Sequence, residues 1–289
     1  MLVTLGDLVE DVVVRLDGPV RLASDTAARI SRRRGGSAAN VAEIAARSGA
    51  RARFVGQVGD DVVGRVLVGE LASHGVDTAA VRFDGSTGTI VVLVDAAGER
   101  SMLTDRRACV QLDRPDPAWI AGADVLHVPM YSLVRGPLAV TAQTMIAWAH
   151  EREVAVSLDV SSVALIDEIG VPGARSLIAG LRPDVVFANA DEAAALELHA
   201  DTELTDVGMA VVKRGADPAT VRAAGAEPID VAAVDLGGVG DTTGAGDAFA
   251  AGFLTAAGWR ADPAGACRAG HRAAAALLRR RATRPIDEG

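Results

Sequence analysis

The second half of the chain constrains the fold most. From about residue 119, short apolar runs alternate with segments of helical spacing. Val125–Val128, Val154–Asp159 and Val185–Asn189 read as strands, with helices over 137–152 and up to about Gly180. Strands of this length alternating with helices predict βαβ units and a mostly parallel sheet covered by helices, with right-handed crossovers. Residues 2–6 read as one more buried strand, ending at Gly6-Asp7. Open sheets of this kind bind ligands beyond the carboxyl ends of their strands, and Asp7, Asp159 and Asn189 all fall at such ends.

A second pattern interrupts the first. Residues 11–34 alternate loosely between apolar and polar, with Pro19 among them. Segments 78–83, 88–94 and 99–104 are β-rich, and Asp95–Gly98 suits a hairpin turn. These short strands, each with one wet face, predict a small sheet rising off the main one. With 289 residues, one large α/β domain with such an appendage is expected.

The chemistry concentrates in Asp241-Thr242-Thr243-Gly244-Ala245-Gly246-Asp247, followed by an alanine-rich apolar run. This reads as a loop running into a helix. The first N–H groups of a helix have no partner within it and bind anions. Asp247 would sit in that first turn, where a negative charge is favoured by the helix dipole. A carboxylate beside an anion hole makes sense if it takes a proton from a hydroxyl that attacks phosphorus. A glycine turn with an acidic first helical turn explains the same residues without any chemistry.

Near the N-terminus, Gly35-Gly36-Ser37-Ala38-Ala39-Asn40 predicts another loop-to-helix junction, with glycines that let a ligand approach the backbone. Asn189-Ala190-Asp191-Glu192 fits a capping box, with Asn189 at the cap and Glu192 at the third helical position. Val211–Gly215 reads as a strand and turn. Pro218 comes shortly after, fixing φ and removing an N–H there.

Taken together, the two glycine motifs resemble the two signatures of the ribokinase-like (PfkB) carbohydrate kinases, the later one being D-T-x-G-A-G-D. They lie in the family's order, and the resemblance covers nearly the whole chain. It implies a three-layer α/β/α sandwich with a mostly parallel central sheet and a small β-sheet lid. The kinase domain would span 1–289, with the lid formed by about 11–34 and 78–107. The implied activity is ATP-dependent phosphorylation of a primary hydroxyl of a small sugar such as ribose or fructose.

The resemblance also assigns roles. Asp247 is the implied base, with the N–H groups of Gly244, Ala245 and Gly246 as the anion hole. Asp7, Gly35, Gly36, Asn40 and Arg106 are the implied substrate contacts, with Arg107 an alternative to Arg106. Asn189, Lys213, Gly215, Gly244 and Gly246 are placed beside the nucleotide. Glu192 is expected near Mg2+ through water, with Asp159 close to the same site. Asp241 and Thr243 match positions that bind a monovalent cation such as K+ in several relatives. Dimerisation through the lid, common among relatives, is a further expectation. The usual second glycine after Gly215 is absent and Ala216-Asp217-Pro218 stands in its place, so the nucleotide-side loop differs from the common form, while Gly270–Arg272 aligns in more than one way and leaves the adenine contact unassigned.

Composition excludes other classes. The formal charge is −9 and no basic tract crosses the body, which argues against nucleic acid. Arg279–Arg281 suits a helix C-terminus. Cys109 and Cys267 form neither a metal motif nor a disulfide framework. With no signal-like start and no membrane-length apolar run, a cytoplasmic protein is expected. Aromatic residues are only 3%, and Phe83 alone falls in the lid candidates, with Trp119 and Tyr131 outside them. That disfavours a stacked nucleoside, yet a nucleoside kinase, a 2-keto-3-deoxy-gluconate-type kinase and a non-catalytic sensor remain alternatives.

Overall fold

The computed structural model describes residues 1–198, 206–238 and 241–282. Asp201 and Thr205, expected to break the helix after Asn189, lie outside them.

The strands, in chain order, are β1 (Leu2–Leu5), β2 (Val9–Leu16), β3 (Ala28–Gly35), β4 (Ala52–Val58), β5 (Asp77–Phe83), β6 (Thr89–Val94), β7 (Arg100–Asp105), β8 (Val125–Pro129), β9 (Ala155–Asp159), β10 (Val185–Asn189), β11 (Met209–Arg214), β12 (Asp217–Ala223) and β13 (Ile229–Val231). The helices are α1 (Ser37–Arg47), α2 (Val62–Ser73), α3 (Gly136–Glu151), α4 (Val163–Ile169), α5 (Val171–Leu181), α6 (Ala190–Ala195), α7 (Ala245–Leu254) and α8 (Pro263–Ala282).

Nine strands form the main sheet in the order β13-β12-β11-β10-β9-β8-β1-β4-β5. Neighbours from β11 through β5 pair in parallel, while β12 and β13 add antiparallel at one edge. Side chains of successive strand residues point to opposite faces, and the core divides accordingly. Leu2, Phe54, Val125, Ala155 and Phe187 face one apolar layer with α1, α2, α7 and α8. Val3, Leu5, Val55, Leu126, Val156 and Val186 face the other, with α3, α4 and α5. The result is the expected α/β/α sandwich.

Four strands form the small sheet, in the order β3-β2-β6-β7, around a minor cluster of Val13, Val92 and Val94. One expectation is corrected. Segment 78–83 is not in this sheet. It forms β5, paired in parallel with β4 at the edge of the main sheet. A short alternating strand shows the same pattern in either place, because periodicity reports which face is wet and not which strand is the neighbour.

Two glycine turns set the positions of α1 and α7. Gly36 caps α1 at φ 105°, and a Cβ there would lie 2.1 Å from the Asp7 carbonyl oxygen. Only glycine permits that backbone approach. Gly244 caps α7 at φ 76°. Helix α7 buries Ala248, Phe249, Ala250, Ala251, Phe253 and Leu254, so it is the central helix of its layer. Phe249 and Phe253 pack edge-on against Phe187 of β10, with centroids 6.2 and 5.2 Å apart. That packing fixes the start of α7 over the carboxyl ends of β9, β10 and β11.

Candidate active site

Helix α7 begins with no side-chain cap, and its first turn carries Asp247. Both oxygens of this carboxylate are held by α1. The Ser37 hydroxyl donates to Oδ1 at 2.7 Å and the Asn40 amide donates to Oδ2 at 2.8 Å. Ser37 and Asn40 lie three residues apart, so one helical face presents both. Burial pushes the Asp247 pKa up to about 6, against the lowering effect of the Asn40 and Ser37 hydrogen bonds. A carboxylate with a pKa near neutrality is suited to accept a proton.

One of the three N–H groups expected in the anion hole has a partner in the loop. The Ala245 N–H donates to the Thr242 carbonyl at 3.1 Å, which closes a turn with Gly244 at the position needing positive φ. Ala245 is therefore used by the loop itself. Two cations flank the helix start. Lys213 Nζ lies 3.3 Å from where a Cβ on Gly246 would be, and Arg281 Nη2 lies 3.6 Å from the corresponding point on Gly244.

Lys213 lies near the carboxyl end of β11, beside Asn189 of β10, and the pairing of β11 with β12 shifts register there, with Pro218 and Ala219 of β12 set against Lys213 alone. Such a bulge tolerates a proline that cannot donate. The buried Nζ bonds to Asp159 at the end of β9, at 2.7 Å. Burial opposes the ammonium charge, but Asp159, Glu192 and Asp247 outweigh it and raise the pKa. Lys213 therefore stays charged. Gly215 turns the β11–β12 hairpin at φ 63°, and a side chain there would meet nothing. It shapes the turn.

Asn189 and Glu192 form a complete capping box. The Glu192 N–H donates to Asn189 Oδ1, the Asn189 N–H donates to Glu192 Oε2, and the Asn189 amide donates to Oε1, each at 2.8 Å. Both carboxylate oxygens thus face Asn189. Burial and the neighbouring Asp159 raise the Glu192 pKa to about 6. Among the described residues no group of three or more His, Cys, Asp or Glu side chains gathers to hold a metal. With both Glu192 oxygens accepting from Asn189, this donor set would fit a Mg2+ held through water and does not fit direct chelation.

The expected substrate residues are brought together, but mostly onto each other. Arg106 pairs bidentately with Asp7, Nε to Oδ2 at 2.6 Å and Nη2 to Oδ1 at 2.7 Å. Its Nη1 donates to the Tyr131 carbonyl at 3.0 Å. Arg107 instead turns outward to Asp105. Asn40 spends its amide on Asp247, and its oxygen accepts from Arg34 Nη1 at 3.1 Å. The space left by Gly36 admits the Asp7 carbonyl. That left by Gly35 admits the Asp11 carboxylate, 2.2 Å from where a Cβ would be. What the two glycines admit is the protein's own chain, a correction to the expected close approach of a ligand.

Asp241 and Thr243 are corrected as well. Arg100 Nη2 donates to Asp241 Oδ1 at 2.7 Å, and its Nη1 donates to the Thr243 hydroxyl. Arg33 and Arg281 approach the same carboxylate at 3.9 and 3.6 Å. Burial raises the Asp241 pKa, but bonds from Thr243 and Arg100 outweigh it and hold the group well below the ordinary range. A carboxylate facing three guanidinium groups does not fit a further monovalent cation.

The sequence profile described as pfkB family carbohydrate kinase matches residues 1–288. The chain belongs to the pfkB family. Among its pfkB relatives, the ATP-dependent ribose-1-phosphate kinase of Halopiger xanaduensis is 34% identical over 244 residues, covering 80% of this chain and 78% of that one. Probable fructokinase-3 of Arabidopsis thaliana is 34% identical over 143 residues. That match covers 47% of this chain and 41% of the relative. The chain therefore spans about two fifths of the length of that fructokinase. Among solved structures, an adenosine kinase from Sinorhizobium meliloti superposes with a TM-score of 0.83 at 26% identity, covering 96% of this chain and 93% of that one.

Within the pfkB framework, four site residues carry no signal in the sequence that marks them: Ser37, Arg100, Arg33 and Arg281. Ser37 stands inside the Gly35–Asn40 motif, but serine after glycine reads as a loop residue. The arginines come from β3, β7 and α8 and meet only in space.

Proposed function

We propose that this chain transfers the γ-phosphoryl group of ATP to a primary hydroxyl of a small neutral sugar. The observation that carries the reading is Asp247, a carboxylate of raised pKa in the first turn of an uncapped helix, fixed by two donors from α1 and flanked by Lys213. Asp247 accepts the hydroxyl proton as the alcohol oxygen bonds to the γ-phosphorus. The bond from that phosphorus to the β,γ-bridging oxygen breaks, and ADP leaves. The N–H groups of Gly246 and Asp247, with Lys213, face the charge that develops on the phosphoryl oxygens, and such preset dipoles favour the transition state. Mg2+ supplies neutralisation across the phosphates when bound.

Arg106 favours a neutral acceptor. A sugar acid would need a cation for its carboxylate, and Arg106 is already committed to Asp7 and the Tyr131 carbonyl. Breaking a buried pair costs about 3–5 kcal/mol. The Asp7 carboxylate, oriented by Arg106, is instead placed to accept from sugar hydroxyls. The likeness to an adenosine kinase keeps a nucleoside as the second reading, with Tyr131, whose ring lies 5.8 Å from the Arg106 guanidinium, as the aromatic surface for it.

The small sheet acts as a lid, excluding water that would compete for the phosphoryl group. Its exposed Ile30, Met102 and Leu103, at 64, 59 and 58%, fit association of two copies through this sheet, which sedimentation would test. No helix among the described residues is long and apolar enough to cross a membrane. Measuring ADP release with neutral sugars, sugar acids and nucleosides tests the reading. Turnover restricted to sugar acids, or absent throughout, would contradict it.

A further inference from the structure

The cluster of charge around Asp241 is left unused by the reaction above. Arg100 comes from β7 and Arg33 from β3, both in the small sheet. Arg281 comes from the last turn of α8. All three guanidinium groups converge on one carboxylate. Arg33 has a second acidic neighbour, Asp11, at 3.5 Å. Burial depresses the Arg281 pKa, and Arg33 and Arg100 depress it further, against Asp241 and Asp247. Arg281 Nη1 is buried without a hydrogen-bond partner. Three positive charges thus stand beside two carboxylates at the mouth of an uncapped helix. The cluster keeps an excess of positive charge over its carboxylates, and an added anion would be attracted to it.

Resting on the kinase reading above, we propose that Arg33, Arg100 and Arg281 grip the nucleotide's polyphosphate at the start of α7, with Asp241 holding the three together and keeping its bonds to them when it arrives. Arg281 stands at Gly244 on one side of the helix start and Lys213 at Gly246 on the other. A polyphosphate lying along that turn meets a cation at each flank. Guanidinium groups suit it because their planar forks bind phosphate oxygens in pairs. Arg33 and Arg100 belong to the small sheet, so the polyphosphate itself helps hold that sheet down. The cationic charge that a P-loop lysine supplies in other kinases is here drawn from three elements remote in sequence.

The test uses calorimetric titration of the whole chain with Mg2+ and a non-hydrolysable ATP analogue, and separately with adenosine. Arg100→Met and Arg281→Met should each weaken the analogue about tenfold, the loss of roughly one charge-assisted contact. Both should flatten its dependence on salt and leave adenosine unchanged. Arg100→Lys and Arg281→Lys, which keep the charge, should recover part of the affinity and serve if a Met variant fails to fold. Analogue affinity within twofold of wild type in folded Met variants would overturn the proposal while leaving the kinase reading intact. So would an equal loss for adenosine, which would mark a merely structural role. A wild-type chain that binds no analogue and turns over no acceptor would overturn both.

Discussion

The Ser37 hydroxyl donates to the Asp247 carboxylate at 2.7 Å, across 210 positions of sequence. The bond joins the first residue of α1 to the first turn of α7. It ties the proposed base to the helix whose start also carries Gly36 and, through it, the Asp7 carbonyl. Two features that look independent along the chain, a glycine loop and an acidic helix start, form one rigid corner.

Activity should therefore depend on pH through this corner. Asp247 must be ionised to accept a proton, and its pKa of about 6 predicts that kcat/KM falls below about pH 6. The Ser37 bond favours the charged form, so Ser37→Ala should move the acid limb upward. Stability follows the opposite course. A carboxyl whose folded pKa is raised contributes stability at low pH that is lost as pH rises through about 6. A pH profile of Ser37→Ala unchanged from wild type would show that the bond does not tune the base.

Gly36 and Gly244 separate space from strain. Gly36→Ala places a methyl group 2.1 Å from a carbonyl oxygen, while the nearest atom to a Cβ on Gly244 is a Leu277 methyl at 3.5 Å. Both have positive φ, which costs an L-residue roughly 1–2 kcal/mol. Thermal melts should show Gly36→Ala losing well over ~10 °C or failing to fold, for a clash plus strain. Gly244→Ala should lose only a few degrees. Equal losses would mean that the Asp7 carbonyl is free to move aside.

Much of the fold was legible, and the reason is periodicity. Runs such as Val125–Val128 and Val185–Asn189 can hardly be anything but buried strands, and their alternation with helices leaves one architecture. The misplacement of 78–83 shows the limit, since pairing partners are not written in a strand's own pattern. The site divides in the same way. Asp247, Asn40, Asp7 and Lys213 stand in motifs or at strand ends, which marks them as candidates. That Asp7 would be paired with Arg106, and Asp241 with Arg100, depends on three-dimensional closure of the small sheet. The buried polar row of Thr4, His127 and Ser157, on adjacent strands β1, β8 and β9, was also invisible. Single polar residues in apolar runs look like noise.

The Asp7–Arg106 pair predicts coupled losses. Arg106→Met leaves the Asp7 carboxylate half-buried without its partner, and should raise the acceptor KM by roughly tenfold or more and lower thermal stability. Asp7→Asn should do the same. The double variant should be less harmed than the sum of the two, because it leaves no orphaned charge. Additive effects in that cycle would show that each residue meets the substrate independently.

Asp241 predicts indifference to potassium. With Arg100 bonded to both Asp241 and Thr243, replacing K+ by choline at constant ionic strength should change turnover by less than about twofold. Activation of several-fold by K+ would mean that the arginine leaves this carboxylate in the working enzyme.

The most direct measurement is the turnover of Asp247→Asn. The substitution keeps the shape and removes the proton acceptor. It should reduce kcat by roughly 10²–10⁴ while the affinities for the ATP analogue and the acceptor stay within a few-fold of wild type. A folded Asp247→Asn protein that turns over at a rate within about tenfold of the parent would contradict the assignment of the base, and with it the account of the site.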